Sequence, residues 1–300
     1  MRVSWSGNDA TNPDADDATR RGALRSLGLL PPVEDGLWDE LPAYAELLTV
    51  RHELHRASLT KLVSSLPTTG GRVMDVACGD GFLTRLLVEH DPLARVTGLD
   101  ASPDYLALAR EAYVGERALL REGDAGDLPV DDGALRMVWC GHSLRSLPEP
   151  RDALREWARA LGPGGVLALL ENDRLHQLML PWPPEVEVAV YRADKEKNSG
   201  ILGGGLDAGR RAATLLDEAG LQVTSRRTWT TELTTQPTER ERTWLALWLE
   251  QVWDRTRDAI DDDLRDEAAR WMTPGGERWM PADPHLEGVW VDVLVVATKG

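Results

Sequence analysis

The chain has 300 residues, is 42% hydrophobic and carries a formal net charge of −16 at pH 7. That balance predicts a soluble globular protein, one domain with insertions, and argues against a duplex-binding surface, which needs clustered Lys and Arg. Cys78 and Cys140 are the two cysteines, which leaves no disulfide framework and no zinc-ligand spacing. With no apolar run long enough for a bilayer span or a secretory signal, the expected setting is reduced and cytoplasmic, with no membrane and no nucleic-acid partner.

Residues 1–20 are rich in Asp, Asn, Ser and Thr and read as a disordered tail. Over 21–70 the apolar residues recur at three- and four-residue steps (Leu37, Trp38, Leu41, Tyr44, Leu47; then Leu59, Leu62, Val63, Leu66), predicting a helical cap over the mouth of the core. The core itself is expected at 71–172. Val73, Met74 and Val76 form a short strand with Asp75 near its carboxyl end. Gly79 and Gly81 then make a tight turn, and a helix starts at Phe82. Unpaired N–H groups at that helix start, together with side-chain-free glycines, form a cradle for a nucleotide-like ligand. A dinucleotide fingerprint would need a third glycine where Thr84 stands, and no Lys-Ser or Lys-Thr follows a glycine run.

Ala94–Asp100 reads as a second strand closed by an acid, which can accept hydrogen bonds from ribose hydroxyls. Asp100 also precedes Ser102-Pro103, a good helix start, so capping is its other reading. A third strand from Leu119 ends in Asp124-Ala125, where a turn carboxylate is the plainer option. A fourth, Ala134–Cys140, leads into Gly141-His142-Ser143. His142 is a candidate general base, because its ordinary pKa is near neutrality. The helix Arg151–Leu161 runs into Gly162-Pro163-Gly164-Gly165 and then a fifth strand, Val166–Leu170.

The loop Asp75-Val76-Ala77-Cys78-Gly79-Asp80-Gly81, the acids closing the next two strands and the helix-Gly-Pro-Gly-Gly-strand join together resemble the class I S-adenosylmethionine-dependent methyltransferases, more loosely their ubiquinone/menaquinone-biosynthesis-like small-molecule branch. The resemblance covers Arg72 to Leu170. It implies a cofactor site of Asp75, Ala77, Cys78, Gly79 and Gly81 in the loop, and Asp100, Ala101 and Ser102 at the ribose. Asp124 would meet the adenine amine and Ala125 N–H a ring nitrogen; Cys140 completes the set, and Gly141-His142-Ser143 would lie under the sulfonium. His142 would then be either a base or only a support for the methionine portion. No metal is implied.

Beyond the core, 173–205 reads as a lid broken by Pro181, Pro183 and Pro184, with a helix over Glu185–Lys197 and a hinge at Gly200–Gly205. Residues 206–300 supply the rest of the sheet, with a helical insertion at 237–272 and a final strand Val289–Ala297. Among the 12 Trp, Trp244, Trp248 and Trp253 lie on one insertion helix, as core, homodimer face or aromatic wall for a flat substrate. The expected fold is α/β, a doubly wound seven-stranded, mostly parallel Rossmann-like sheet with N- and C-terminal helical cap insertions. By the resemblance its last strand runs antiparallel beside the fifth. The implied activity moves a methyl group from S-adenosylmethionine to oxygen, nitrogen or carbon of a small molecule, in secondary metabolism, releasing S-adenosylhomocysteine. The alternative keeps the cofactor site but catalyses a non-methylating cyclisation or rearrangement.

Overall fold

The computed structural model describes residues 15–42, 44–114, 117–172, 178–198, 208–233 and 236–300. The Gly200–Gly205 run and Asp173 fall outside these residues. Eight strands are present among them: β1 Gly71–Val76, β2 Ala94–Asp100, β3 Leu119–Glu122, β4 Leu135–Gly141, β5 Leu161–Glu171, β6 Leu178–Met179, β7 Gln222–Leu233 and β8 Gly288–Thr298. The chain divides into two compact units, one of Met1–His55, Leu178–Gly200 and Thr231–Trp290, the other of Arg56–Gln177, Ile201–Thr230 and Val291–Gly300.

The second unit holds the sheet, in the order β3-β2-β1-β4-β5-β8, with β7 also paired to β8. β1 to β5 run parallel. β8 is reversed against β5, from Val166↔Thr298 to Glu171↔Val293. This is the expected seven-stranded sheet with its last strand antiparallel beside the fifth, extended by the two-residue β6, which pairs antiparallel with β8 at Trp290 and Val289. Successive side chains on a strand point to opposite faces, so the apolar runs feed two cores. Met74, Val76, Leu167, Leu169, Val293 and Val295 pack with Leu154 and Trp157. Val73, Ala168, Leu170 and Leu294 pack on the other face with Phe82, Leu83 and Leu86. The Gly-Pro-Gly-Gly segment differs from its expected role as a plain turn. The helix stops at Ala160, β5 begins at once at Leu161, and the β4–β5 register shifts between Leu135 and Met137. Gly164 N–H donates to Lys299 O, so the irregular stretch pairs with the chain's end.

The other unit is mainly helical. A helix begins at Asp17, inside the stretch expected to be disordered, because Asp16 accepts a hydrogen bond from Thr19 N–H at 2.8 Å. Arg21, 5% exposed, ties that helix down through pairs of 2.6 Å to both Glu46 and Asp39. Composition alone does not show those distant partners. The predicted lid helix is Pro184–Asn198. The helix of the insertion runs Glu239–Thr256, begun by a reciprocal Thr238–Glu241 capping box. On it Trp244 is core, fully buried and edge-on to His55 and to Trp290.

Candidate functional site

At the carboxyl end of β1 the backbone turns through left-handed conformations at Ala77 (φ 55°), Gly79 (φ 53°) and Gly81 (φ 78°). Ala77 is the unusual one, since an L side chain is strained there. Asp80 Oδ1 accepts the Phe82 N–H at 3.1 Å and so caps the helix Phe82–His90. Gly81 is required by packing: a Cβ there would lie 2.6 Å from Ala109 Cβ and 3.0 Å from Val114 Cγ2. Gly81→Ala is therefore expected to cost about 2–4 kcal/mol, from clash plus left-handed strain, seen as a lower denaturation midpoint.

Asp75 lies beneath this loop, 1% exposed, and accepts the Thr84 hydroxyl hydrogen at 2.5 Å. Burial pushes its carboxyl up to about 7, with Thr84 pulling the other way. The Cys78 and Cys140 thiols are also buried and pushed up by burial, with the Asp75 charge adding to both. These three side chains face the interior.

Asp100 closes the loop from the end of β2. One carboxylate oxygen accepts Gly79 N–H at 2.8 Å and the other accepts Ser102 N–H at 3.0 Å. Ser102 in turn caps the helix starting at Pro103 by accepting Tyr105 N–H, and Ala101 is exposed. Asp100 thus makes the capping contact and also reaches the glycine loop. At the end of β3, Asp124 is exposed and accepts Gly126 N–H at 2.7 Å. Ala125 is buried, and its carbonyl accepts the indole N–H of Trp157 at 2.7 Å. Nothing local in the sequence marks Trp157 for that role.

At the end of β4, His142 is a second non-glycine residue in the left-handed region (φ 59°). Its N–H donates to Leu170 O at 2.7 Å, fixing the turn to β5. Its Nε2 lies 2.8 Å from Asp292 Oδ1 on β8, both side chains being buried. A carboxylate only accepts, so Nε2–H donates and the neutral ring keeps its lone pair on Nδ1. Ser143 Oγ reaches Ala77 O at 3.3 Å, linking this turn to the β1 loop. Glu171, at the end of β5 and fully buried, accepts Leu144 N–H at 2.8 Å. Burial pushes its carboxyl up to about 7, against the nearby positive charge of Arg145. Asp292 was detectable as the one charge in Val289-Trp290-Val291-Asp292-Val293, an otherwise apolar strand.

Raised carboxyl values make stability depend on pH. Asp75 and Glu171 hold protons in the folded state to about 7, against ordinary values of 3.8 and 4.5. The folded state binds more protons across that window, so stability is complete below about 4 and falls as pH rises through 7. Asp75→Asn keeps an acceptor for Thr84 and is expected to flatten that decline, by on the order of a few kcal/mol between pH 4 and 8. Denaturant midpoints of both proteins across that range check it, and parallel curves would remove the assignment.

The hydrogen bonds thus join Gly79, Asp100 and Ser102 at one point of the crevice and His142 and Asp292 at another, with Ser143 to Ala77 between them. In open α/β sheets ligands bind outside the carboxyl ends of the strands, and these groups lie at that edge of the sheet, Asp292 on the amino-terminal half of the reversed β8. Among the described residues no helix is long and apolar enough to cross a membrane. Residues 74–169 match the methyltransferase domain family. The chain is 35% identical over 139 residues to trans-aconitate 2-methyltransferase of Streptomyces avermitilis, covering 43% of this chain and 50% of that protein. It is 32% identical over 174 residues to 27-O-demethylrifamycin SV methyltransferase of Amycolatopsis mediterranei, covering 56% and 58%. It thus spans about half the length of the curated relatives it matches. Among solved structures, the [4+2]-cyclase SpnF shares the fold at a TM-score of 0.50 and 20% identity, over 82% of each chain. With the strand order, the reversed last strand and the glycine loop held by an acid, these matches make the core of this chain, residues 74–169, similar to the methyltransferase domain family.

Proposed function

We propose that this protein transfers a methyl group from S-adenosylmethionine to a small-molecule acceptor in the cytoplasm and releases S-adenosylhomocysteine. The observation that carries the reading is the Gly79–Asp100 contact inside a loop of left-handed residues. Ala77 and Gly79 bare the backbone to a ligand, and Asp100, with its carboxylate oxygens already aimed at the loop, is suited to the ribose hydroxyls. Asp124 and the Ala125 N–H suit the adenine edge. When bound, the sulfonium supplies an activated methyl group. The chain's own residues then orient the acceptor and take its proton where it has one to lose. His142 is the base in this reading, oriented by Asp292.

The named activities of the two curated relatives support a small-molecule acceptor, and the rifamycin relative together with the tryptophan content supports secondary metabolism. SpnF favours a second reading, since a protein of this fold is a cyclase. Incubation with S-adenosylmethionine and a metabolite extract separates the two. Methyl transfer requires S-adenosylhomocysteine and an acceptor heavier by one CH₂, whereas a changed metabolite without S-adenosylhomocysteine supports cyclisation or rearrangement. Asp100→Ala is expected to weaken S-adenosylhomocysteine binding by about 1–3 kcal/mol. An unchanged calorimetric Kd would remove the ribose contact.

A further inference from the structure

Asn172 follows β5 directly and is 1% exposed, yet among the described residues neither its amide oxygen nor its amide nitrogen has a hydrogen-bond partner. A buried carboxamide in that condition is destabilising unless another group meets it. The ladder locates it. Glu171 pairs with Val293 across the antiparallel β5–β8 pair, so the next position places Asn172 opposite Asp292, the residue that holds the His142 ring. Side-chain alternation gives the face. Ala168 and Leu170 pack with Leu294 on one side of the sheet, and Asn172 and Asp292 continue those two rows. Glu171 belongs to the opposite row, where it caps the turn at Leu144. His142, Asn172 and Asp292 therefore form one row of polar side chains across the carboxyl ends of β4 and β5 and the amino-terminal half of the reversed β8.

We infer that Asn172 binds the methyl acceptor, and that the acceptor is a hydroxyl compound methylated on oxygen after His142 takes its proton. The inference rests on the methyl-transfer reading above. A base beside a carboxamide serves an acceptor that is protonated at neutral pH and carries polar atoms for the amide to donate to and accept from, as a hydroxyl compound does. A carboxylate acceptor needs no base and would meet the buried Asp292. In the step, the acceptor's O–H bond breaks with the proton passing to His142. An O–CH₃ bond forms, and the pair of the breaking S–CH₃ bond stays on sulfur.

Two measurements test this. An amide kept for a ligand contributes nothing to the ligand-free fold, so Asn172→Leu is expected to hold or raise the melting temperature. A fall of about 4 °C or more would show a structural amide and overturn the proposal. In the second, wild type and Asn172→Ala are assayed with S-adenosylmethionine and a panel of phenols and alcohols alongside matched amines and carboxylic acids. Transfer is expected to hydroxyl members only. The variant should raise their KM about tenfold, with the S-adenosylhomocysteine Kd unchanged within about twofold. Transfer to amines or carboxylates, or an unchanged KM, overturns this inference alone, and no transfer at all by a wild type that binds S-adenosylhomocysteine overturns it in favour of the cyclase reading. A wild type that binds none of it refutes the methyl-transfer reading and this inference together.

Discussion

Replacing His142 with alanine is expected to lower turnover by about 10²–10⁴-fold, the usual contribution of a positioned general base, while the S-adenosylhomocysteine Kd stays within about twofold. The expectation comes from how completely the ring is held. The residue sits in a left-handed turn (φ 59°), its N–H is bonded to Leu170 O at 2.7 Å, and its Nε2 meets Asp292 Oδ1 at 2.8 Å. Left-handed backbone at a non-glycine residue is costly and persists only where its surroundings impose it. Asp292 acts through the imidazole. In the proposed reading it would set the tautomer and stabilise the ring once it has gained a proton, as in hydrolase triads. Asp292→Asn keeps the shape and removes that charge, so kcat should fall with KM little changed, and the acidic limb of the pH–rate profile should move to lower pH. Should His142→Ala weaken cofactor binding and leave kcat intact, the ring would be a support for the methionine portion and not a base.

The glycine loop, the acid at the end of β2 and the strand order were legible because each depends on neighbours close in sequence. An apolar run ending in an acid, then a turn, then a helix defines a strand-loop-helix corner without distant information, and Asp100 reaches Gly79 across one such unit. What escaped depends on pairings across long stretches of chain. Asp292 meets a residue 150 positions earlier. The first described helix begins at Asp17, inside the expected tail, and Arg21 on it finds Glu46 and Asp39. Gly81 reads locally as a ligand-facing glycine, whereas its nearest constraint is Ala109, on a helix that follows β2. Asp75 reads as a ligand acid, but Thr84 and burial claim its carboxyl. A motif marks where the chain must turn; it does not say which side of the turn each side chain serves.

Trp157→Ala is expected to cost about 3–5 kcal/mol, the range for emptying a buried tryptophan site. Trp157 is fully buried among Leu135, Leu154, Leu161 and Leu167, between the helix Pro150–Ala160 and the sheet, where little can collapse into the space left. Its indole N–H also donates to Ala125 O at 2.7 Å, while on the same helix Glu156 accepts Leu128 N–H at 2.8 Å. The helix therefore fixes the segment after β3 from below, at the two ends of Ala125–Leu128. Trp157→Phe separates packing from this tether. Most of the apolar volume remains, so about 1–3 kcal/mol is lost, chiefly from the Ala125 carbonyl left without its donor. If Ala125 presents its N–H to adenine, the same variant should also weaken S-adenosylhomocysteine binding several-fold, with the glycine loop and Asp100 untouched. Chemical denaturation and calorimetry on one preparation read both quantities. A Phe variant that loses stability at unchanged cofactor affinity would make Trp157 a packing residue alone and would take Ala125 out of the adenine pocket.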